Sequence, residues 1–483
     1  MKKTTKLMCG LMGLGLLVTG CATVGNIKNN YEDIIFNGNV AANVDGYLYY
    51  ANALEESTFE TNSDYDKSVK TSYLARLNTN IDLAAETRDY SPEKVETVTK
   101  EVVGQTNSFM FVLGKHIYYA TPNKQEFEND EGKPEKHFEY TTFYRSQLNG
   151  NSKEKIYTTK GEVSEIEVLK SGNNYYIVML AGDQLVKINI GSASKTKVNV
   201  VVVEGVNSIA MPETYQKDKA GSTLDWNGYV YYTTTKTDEH NSDVSGTVVN
   251  RIKADASEGE VMESYAETLT FVGREKDVVF YTLPVTSDNT YTYAADLSED
   301  NGKYALRNNK TEFATKELSS ANISLLTEQI SDGYADCGYV YVDGSAVKFA
   351  KKTANGYETK SITFNADGVL SSYNVLGVSG RTIYLSTTTG VYRADLSNVI
   401  NATANIVTVN CDTIVTMADI YNGTLCAIDK NYIYFYAKLE EVETEEGEEE
   451  AETDDNYYFY RARLSRSSGL AAEDNYELLS KAR

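Results

Sequence analysis

The chain has 483 residues, with 69 Asp and Glu against 46 Lys and Arg, and a formal net charge of −23. So acidic a surface repels nucleic-acid phosphates and anionic lipid headgroups, which argues against nucleic-acid binding and against membrane attachment through a basic patch. Five prolines and 33 glycines exclude a fibrous or Pro-rich protein, while 38 tyrosines beside 14 Phe and one Trp point to an all-β protein. Such a protein buries tyrosine rings and lets their hydroxyls reach polar partners.

At the start of the chain, Lys2, Lys3 and Lys6 precede an apolar run over residues 7–18, the order of a bacterial export signal. About a dozen apolar residues are too few to span a bilayer as a permanent helix. The run ends in Leu17-Val18-Thr19-Gly20-Cys21, which resembles the lipobox of bacterial lipoproteins. The resemblance implies removal of residues 1–20, diacylation of Cys21 as the new N-terminus, and a lipid-anchored tether over 21–31. Residues 32–483 would then stand on the extracytoplasmic face of the cell membrane, held by the lipid, because no later apolar stretch reaches spanning length. Cys9 leaves with the leader; Cys337, Cys411 and Cys426 remain without a CxxC spacing. They read as three buried thiols, with a Cys411–Cys426 bridge across neighbouring strands left open.

Beyond the tether a short aromatic strand recurs. Its copies are Tyr47-Leu48-Tyr49-Tyr50, Ile117-Tyr118-Tyr119, Tyr175-Tyr176-Ile177, Tyr229-Val230-Tyr231-Tyr232, Val278-Val279-Phe280-Tyr281, Tyr339-Val340-Tyr341, Thr382-Ile383-Tyr384 and Tyr432-Ile433-Tyr434. A second strand follows each, often of the form Tyr-Arg-x-x-Leu, as at Tyr144-Arg145, Tyr392-Arg393 and Tyr460-Arg461. A third can follow, as at 198–203 or 405–409. The mean spacing of about 55 residues lies slightly above that of propeller repeats, the excess sitting in long hairpin insertions. The strands are continuously apolar and aromatic, as blades covered on both faces require. The pattern predicts an all-β propeller of eight four-stranded antiparallel blades, with seven as the alternative. A pair of β-sandwiches or a β-helix fits the spacing and regularity less well. Residues 32–36 are expected to pair in the first or last blade and so close the ring.

The sequences Tyr231-Tyr232-Thr233-Thr234, Tyr118-Tyr119-Ala120-Thr121 and Tyr49-Tyr50-Ala51-Asn52 resemble the Tyr-Trp-Thr-Asp repeat of low-density-lipoprotein-receptor-type propellers, over residues 32–481. The Tyr-rich form followed by Tyr-Arg-x-x-Leu is similar to repeats in lipoproteins of Gram-positive anaerobes. Here Tyr or a β-branched residue replaces the Trp and the closing Asp is nearly always absent, so the resemblance implies a fold and carries over no receptor function.

Chemistry-bearing motifs are sparse. His116 lies in an aromatic strand, and His137 and His240 in polar hairpin loops, with no HExxH and no His cluster. Ser192-Ala193-Ser194-Lys195 and Ser345-Ala346-Val347-Lys348 match S-x-x-K in segments that read as loop or strand, where that chemistry needs a helix. No cofactor is expected. Long acidic insertions occur in the first repeat (Glu55, Glu56, Glu60, Asp64, Asp66), the second (Glu126, Glu128, Asp130, Glu131, Glu135) and the last (440–455). In a closed ring they form one negative sector, either plain solvated loops or a patch for a weakly held Ca²⁺ or a basic partner. The metal candidates are Asp64, Asp66, Glu128 and Asp130, and none sits in an EF-hand spacing. Loop tyrosines such as Tyr65, Tyr140, Tyr215 and Tyr357 could stack on sugar rings or peptide side chains. The expectation is a monomeric binding or scaffold module at the cell envelope with an envelope protein or glycan as partner. The alternative is an envelope- or glycan-directed hydrolase or lyase with carboxylates at the propeller mouth.

Overall fold

A computed structural model describes residues 34–35, 41–44, 46–59, 67–71, 73–78, 95–102, 109–122, 126–128, 134–136, 141–211, 229–238, 241–297, 305–318, 323–331, 333–421, 427–428, 431–438, 457–466 and 469–479. The chain is a β-propeller of eight blades, each a four-stranded antiparallel sheet whose strands follow one another in chain order. The eight aromatic segments are without exception the second strand of their blade, from Tyr47–Ala51 in blade one to Tyr432–Ala437 in blade eight. The Tyr-Arg-type segments are the third strands, from Tyr73–Asn78 to Tyr457–Arg463.

Blade three explains why these strands are apolar throughout. Its second strand, Asn174–Ala181, is buried at every position after the first, and its third, Gln184–Gly191, at every position. Side chains of a strand alternate between two faces, and here both faces meet a neighbour. Ile177 and Met179 enter the core shared with blade two, while Tyr176, Val178 and Leu180 enter the core shared with blade four. Eight such cores fill the eight seams.

The eighth seam closes the ring. Leu48, Tyr50 and Leu77 of blade one pack with Tyr434, Tyr436 and Phe459 of blade eight. Tyr50 stacks on Phe459 at a centroid distance of 5.0 Å and donates to the Leu479 carbonyl at 2.5 Å. Tyr436 donates in return to the Ala51 carbonyl at 2.9 Å. These phenols answer the Tyr excess of the sequence: ring in the core, hydroxyl on a backbone acceptor of the neighbouring blade.

The N-terminal strand departs from expectation. Ile34–Ile35 pairs with Val112 and Leu113 in the first strand of blade two, as a fifth strand, and not with blade one or eight. The first strand of blade two touches the first strand of blade one, as do those of blades four to seven in turn, so this edge faces inward. Side-chain packing and a strand of blade one paired with blade eight close the seam between those blades, and the inner edge of blade two is what the N-terminal segment covers.

Two links between blades were not foreseen. The hairpin of Ala53–Phe59 and Lys67–Thr71, inserted in blade one, pairs through Ala53 and Leu54 with Tyr458 and Tyr457 of blade eight. Strand Ile406–Thr416 pairs in parallel with residues 361–365 of blade six before turning antiparallel to the third strand of blade seven. Cys411 lies at that crossover. It is a free thiol, so the bridge to Cys426 is not formed, and burial pushes its pKa up to about 11. Cys337 is also free, and both are half-buried; Cys426 lies outside the described residues.

Candidate functional site

Most residues singled out from the sequence lie outside the described residues: Cys21, Asp64, Asp66, Asp130, loop 440–455, Tyr65, Tyr140 and Tyr215. Glu128 ends the hairpin strand Glu126–Glu128, its backbone paired with Pro134. Among the described residues no three His, Cys, Asp or Glu side chains come together as a metal would require. Tyr357 is not a loop aromatic. Its ring is packed edge-on to Phe313 at 4.9 Å in the seam of blades five and six, and burial pushes its hydroxyl up to about 12. His116 stands in a strand, and Ser192–Lys195 closes a turn in which the Lys195 amide donates to the Ser192 hydroxyl at 3.1 Å.

The arginines of the repeat are structural. Arg76, Arg145, Arg251, Arg393 and Arg461 of third strands lie directly opposite Glu96, Glu154, Glu260, Asp412 and Glu477 of fourth strands, and each is bonded to that acid. Three also lie over a tyrosine ring of the second strand, Arg76 on Tyr47 at 5.1 Å, Arg251 on Tyr229 at 4.3 Å and Arg461 on Tyr432 at 4.4 Å. Each of these three guanidiniums therefore braces three strands of one sheet.

Blade three carries two ionisable groups in its seam with blade four. Lys187, 1% exposed, donates from Nζ to the carbonyls of Lys253 at 2.8 Å and Ala256 at 2.5 Å, both in blade four. Burial pulls its pKa down to about 8, against the pull of Asp255. Glu165 sits beside a bulge in the first strand, opposite Leu180 and therefore on the face toward blade four. Burial raises its carboxyl to about 7, and among the described residues it has no hydrogen-bond or ion-pair partner. Acid–base work on a glycosidic bond needs a second carboxylate nearby, and no acid is among the influences on Glu165.

A concave site lies in the next seam, between blades four and five. A cavity of about 460 Å³ is lined by Ser264, Tyr265, Ala266, Glu267, Leu283, Pro284, Val285, Tyr293, Arg307 and Lys310. Its size falls within the range of small-molecule sites. The backbone that frames it is fixed by Thr247, whose hydroxyl donates to the Glu267 carbonyl at 3.0 Å and accepts from the Leu269 amide at 3.0 Å. Arg307 belongs to a four-residue helix, Ala305–Asn308, pinned by Leu306 in the seam core and by the Tyr281 hydroxyl on the Leu306 carbonyl. Below the cavity, buried Glu263 accepts from the Tyr265 hydroxyl at 2.7 Å. Burial and that hydrogen bond hold the Tyr265 hydroxyl far above its ordinary pKa. The Arg307 guanidinium lies over the Tyr265 ring at 5.2 Å, donates to the Ser264 carbonyl at 2.9 Å, and remains 60% exposed. Lys310 holds its ammonium 4.2 Å above the Tyr293 ring, with no ion pair among the described residues. Leu283, Pro284 and Val285 form an apolar wall, Val285 being 49% exposed. No motif announced this site, because its residues come from blade four, blade five and the helix between strands.

No family model matches the chain, and no curated protein matches it either. Among solved structures the chain is similar to the β-propeller domain of the Trilobed protease from Pyrococcus furiosus, with 9% identity over 72% of this chain and 91% of that one, at a TM-score of 0.33. It is similar to oligogalacturonate lyase from Vibrio parahaemolyticus, with 10% identity over 80% and 95% of the two chains and a TM-score of 0.33. Prolyl oligopeptidase B from Galerina marginata is also similar, at 10% identity over 76% of this chain and 49% of that one, with a TM-score of 0.38.

Proposed function

We propose that this chain is a lipid-anchored, extracytoplasmic β-propeller that acts as a binding module at the cell envelope, with the cavity between blades four and five as its ligand site. The cavity carries the proposal. It is preformed, and it gathers two tyrosines, two cations and an apolar wall on a rigid seam. The anchor rests on the basic, apolar and Thr19-Gly20-Cys21 order of the leader, which resembles bacterial lipoproteins. The resemblance of the repeats to low-density-lipoprotein-receptor-type propellers adds only a family of folds. The metal candidates Asp64, Asp66, Glu128 and Asp130 are given no cation-binding role in this reading. The hydrolase or lyase alternative has Glu165 in its favour, a carboxyl raised toward neutrality.

Two experiments test this. Fractionation of cells should find the protein in the membrane and the Cys21→Ala variant in a soluble fraction; a soluble wild-type protein, or an unmodified Cys21 thiol by mass spectrometry, removes the anchor. Soluble residues 22–483 should retain glycan or envelope material on a column and lose it when Lys310 is changed to Gln. Turnover of a bound glycan that stops in Glu165→Gln would favour the enzyme.

A further inference from the structure

We propose that the cavity between blades four and five binds a sugar acid, a pyranose ring carrying a carboxylate, and this rests on the binding-module reading of the same site. Three features of the lining each select one part of such a ligand. Arg307 and Lys310 are both exposed at the cavity although the chain carries a net charge of −23. A diffuse negative field disfavours an anion at long range, whereas two cations at contact distance favour one strongly, and salt screens the former more than the latter. A carboxylate is the group that a guanidinium fork and a neighbouring ammonium take together.

Glu267 favours a sugar over a bare ring acid. A benzoate offers this carboxylate no donor, whereas the hydroxyls of a sugar do, and the Ser264 hydroxyl can serve the same ring. The wall of Leu283, Pro284 and Val285 suits the C–H face of the pyranose. Lys310 links the two kinds of contact. Its ammonium covers the Tyr293 ring at 4.2 Å with no competing ion pair among the described residues. When it moves to the ligand carboxylate it uncovers that ring for the sugar face, so anion capture and stacking occur together.

Calorimetry on soluble residues 22–483 provides the test, with glucuronate, glucose, benzoate and inorganic phosphate as probes. Glucuronate should bind, with glucose and benzoate at least about tenfold weaker, since each loses contacts together worth a factor of ten or more. Lys310→Gln and Tyr293→Leu should each weaken glucuronate by about tenfold or more while near-identical melting curves show the fold intact. Arg307→Gln should do the same, but its guanidinium also contacts Glu263, so the Lys310 and Tyr293 variants decide the matter. Equal binding of glucose, benzoate or phosphate, or glucuronate binding that both variants leave unchanged, overturns the assignment. If glucuronate fails while another glycan is held in a Lys310-dependent way, the sugar-acid assignment falls and the binding module stands. If no glycan or envelope material is held at all, both fall.

Discussion

Lys187, in the seam between blades three and four, and the two cations at the cavity in the next seam are held in opposite ways. In the first, Lys187 is sealed from solvent and both of its contacts are backbone carbonyls of blade four. In the second, Arg307 and Lys310 rest on tyrosine faces at an open cavity. The first lysine is part of how two sheets are joined, while the second is held loosely enough to change partner. A cation buried against fixed acceptors is costly to move, and one lying over a π face at the surface is not.

The largest effect should come from breaking the sealed seam. Lys187→Ala leaves two buried carbonyls without a donor and a void behind them, and should cost about 3–5 kcal/mol in denaturant unfolding. Lys187→Met fills the space and should recover part of that loss; full recovery by Met would mean that the carbonyls are not what the lysine serves.

Glu165, on the same seam, should give a pH signature. Its folded-state pKa is raised from 4.5 to about 7, so the folded chain binds more protons than the unfolded one between those values. The stability this gives is complete below the unfolded pKa and is lost as pH rises through about 7. Glu165→Gln should flatten that slope and leave the protein more stable at pH 8 by about 1–2 kcal/mol, allowing for the partial exposure of the group. A variant that retains the wild-type slope would assign it to another group.

Tyr50→Phe removes the hydroxyl that reaches Leu479 across the closing seam and should cost about 1 kcal/mol, with ring packing kept. Lys310→Ala should shift stability by less than about 0.5 kcal/mol, as expected of an exposed group. A Lys310→Ala loss comparable to that of Lys187→Ala would erase the contrast between the two lysines.

Blade number and strand order could be read from the sequence because each blade repeats one physical requirement. A second strand covered on both faces must be apolar at successive positions, and the runs at Tyr175-Tyr176-Ile177 and Tyr432-Ile433-Tyr434 report that without any long-range information. The Arg half of the brace was visible as well, in Tyr392-Arg393 and Tyr460-Arg461. Its acids were not, because Glu154 follows Arg145 by 9 residues and Glu96 follows Arg76 by 20, so no fixed offset marks the pair. Residues 32–36 read as ring closure because an open ring exposes edges, but phenol hydroxyls, aromatic stacking and the pairing of Ala53 and Leu54 with blade eight close it instead. Tyr357 read as a loop residue, yet it lies in the strand Gly356–Asn365 beside Phe313. The cavity escaped notice for a different reason. Tyr265, Tyr293 and Arg307 each look ordinary in sequence, and only the docking of two blades brings them together.

The inner strand Ile34–Ile35 also determines how the disc would hang from a membrane. Ile34 pairs with Leu113, at the end of the blade-two strand that leads into the turn at Gly114 and Lys115, so the chain enters at the axis through the face bearing these turns. With a lipid on Cys21, the 13 residues to Ile34 have a contour length of about 45 Å. A leash attached near the centre of a disc holds it broadside to the surface, whereas one attached at the rim would let it stand on edge. The acidic hairpins of blades one and two leave from the opposite face, because they join second strands to third. These acidic hairpins would point outward, away from the anionic headgroups beneath the disc.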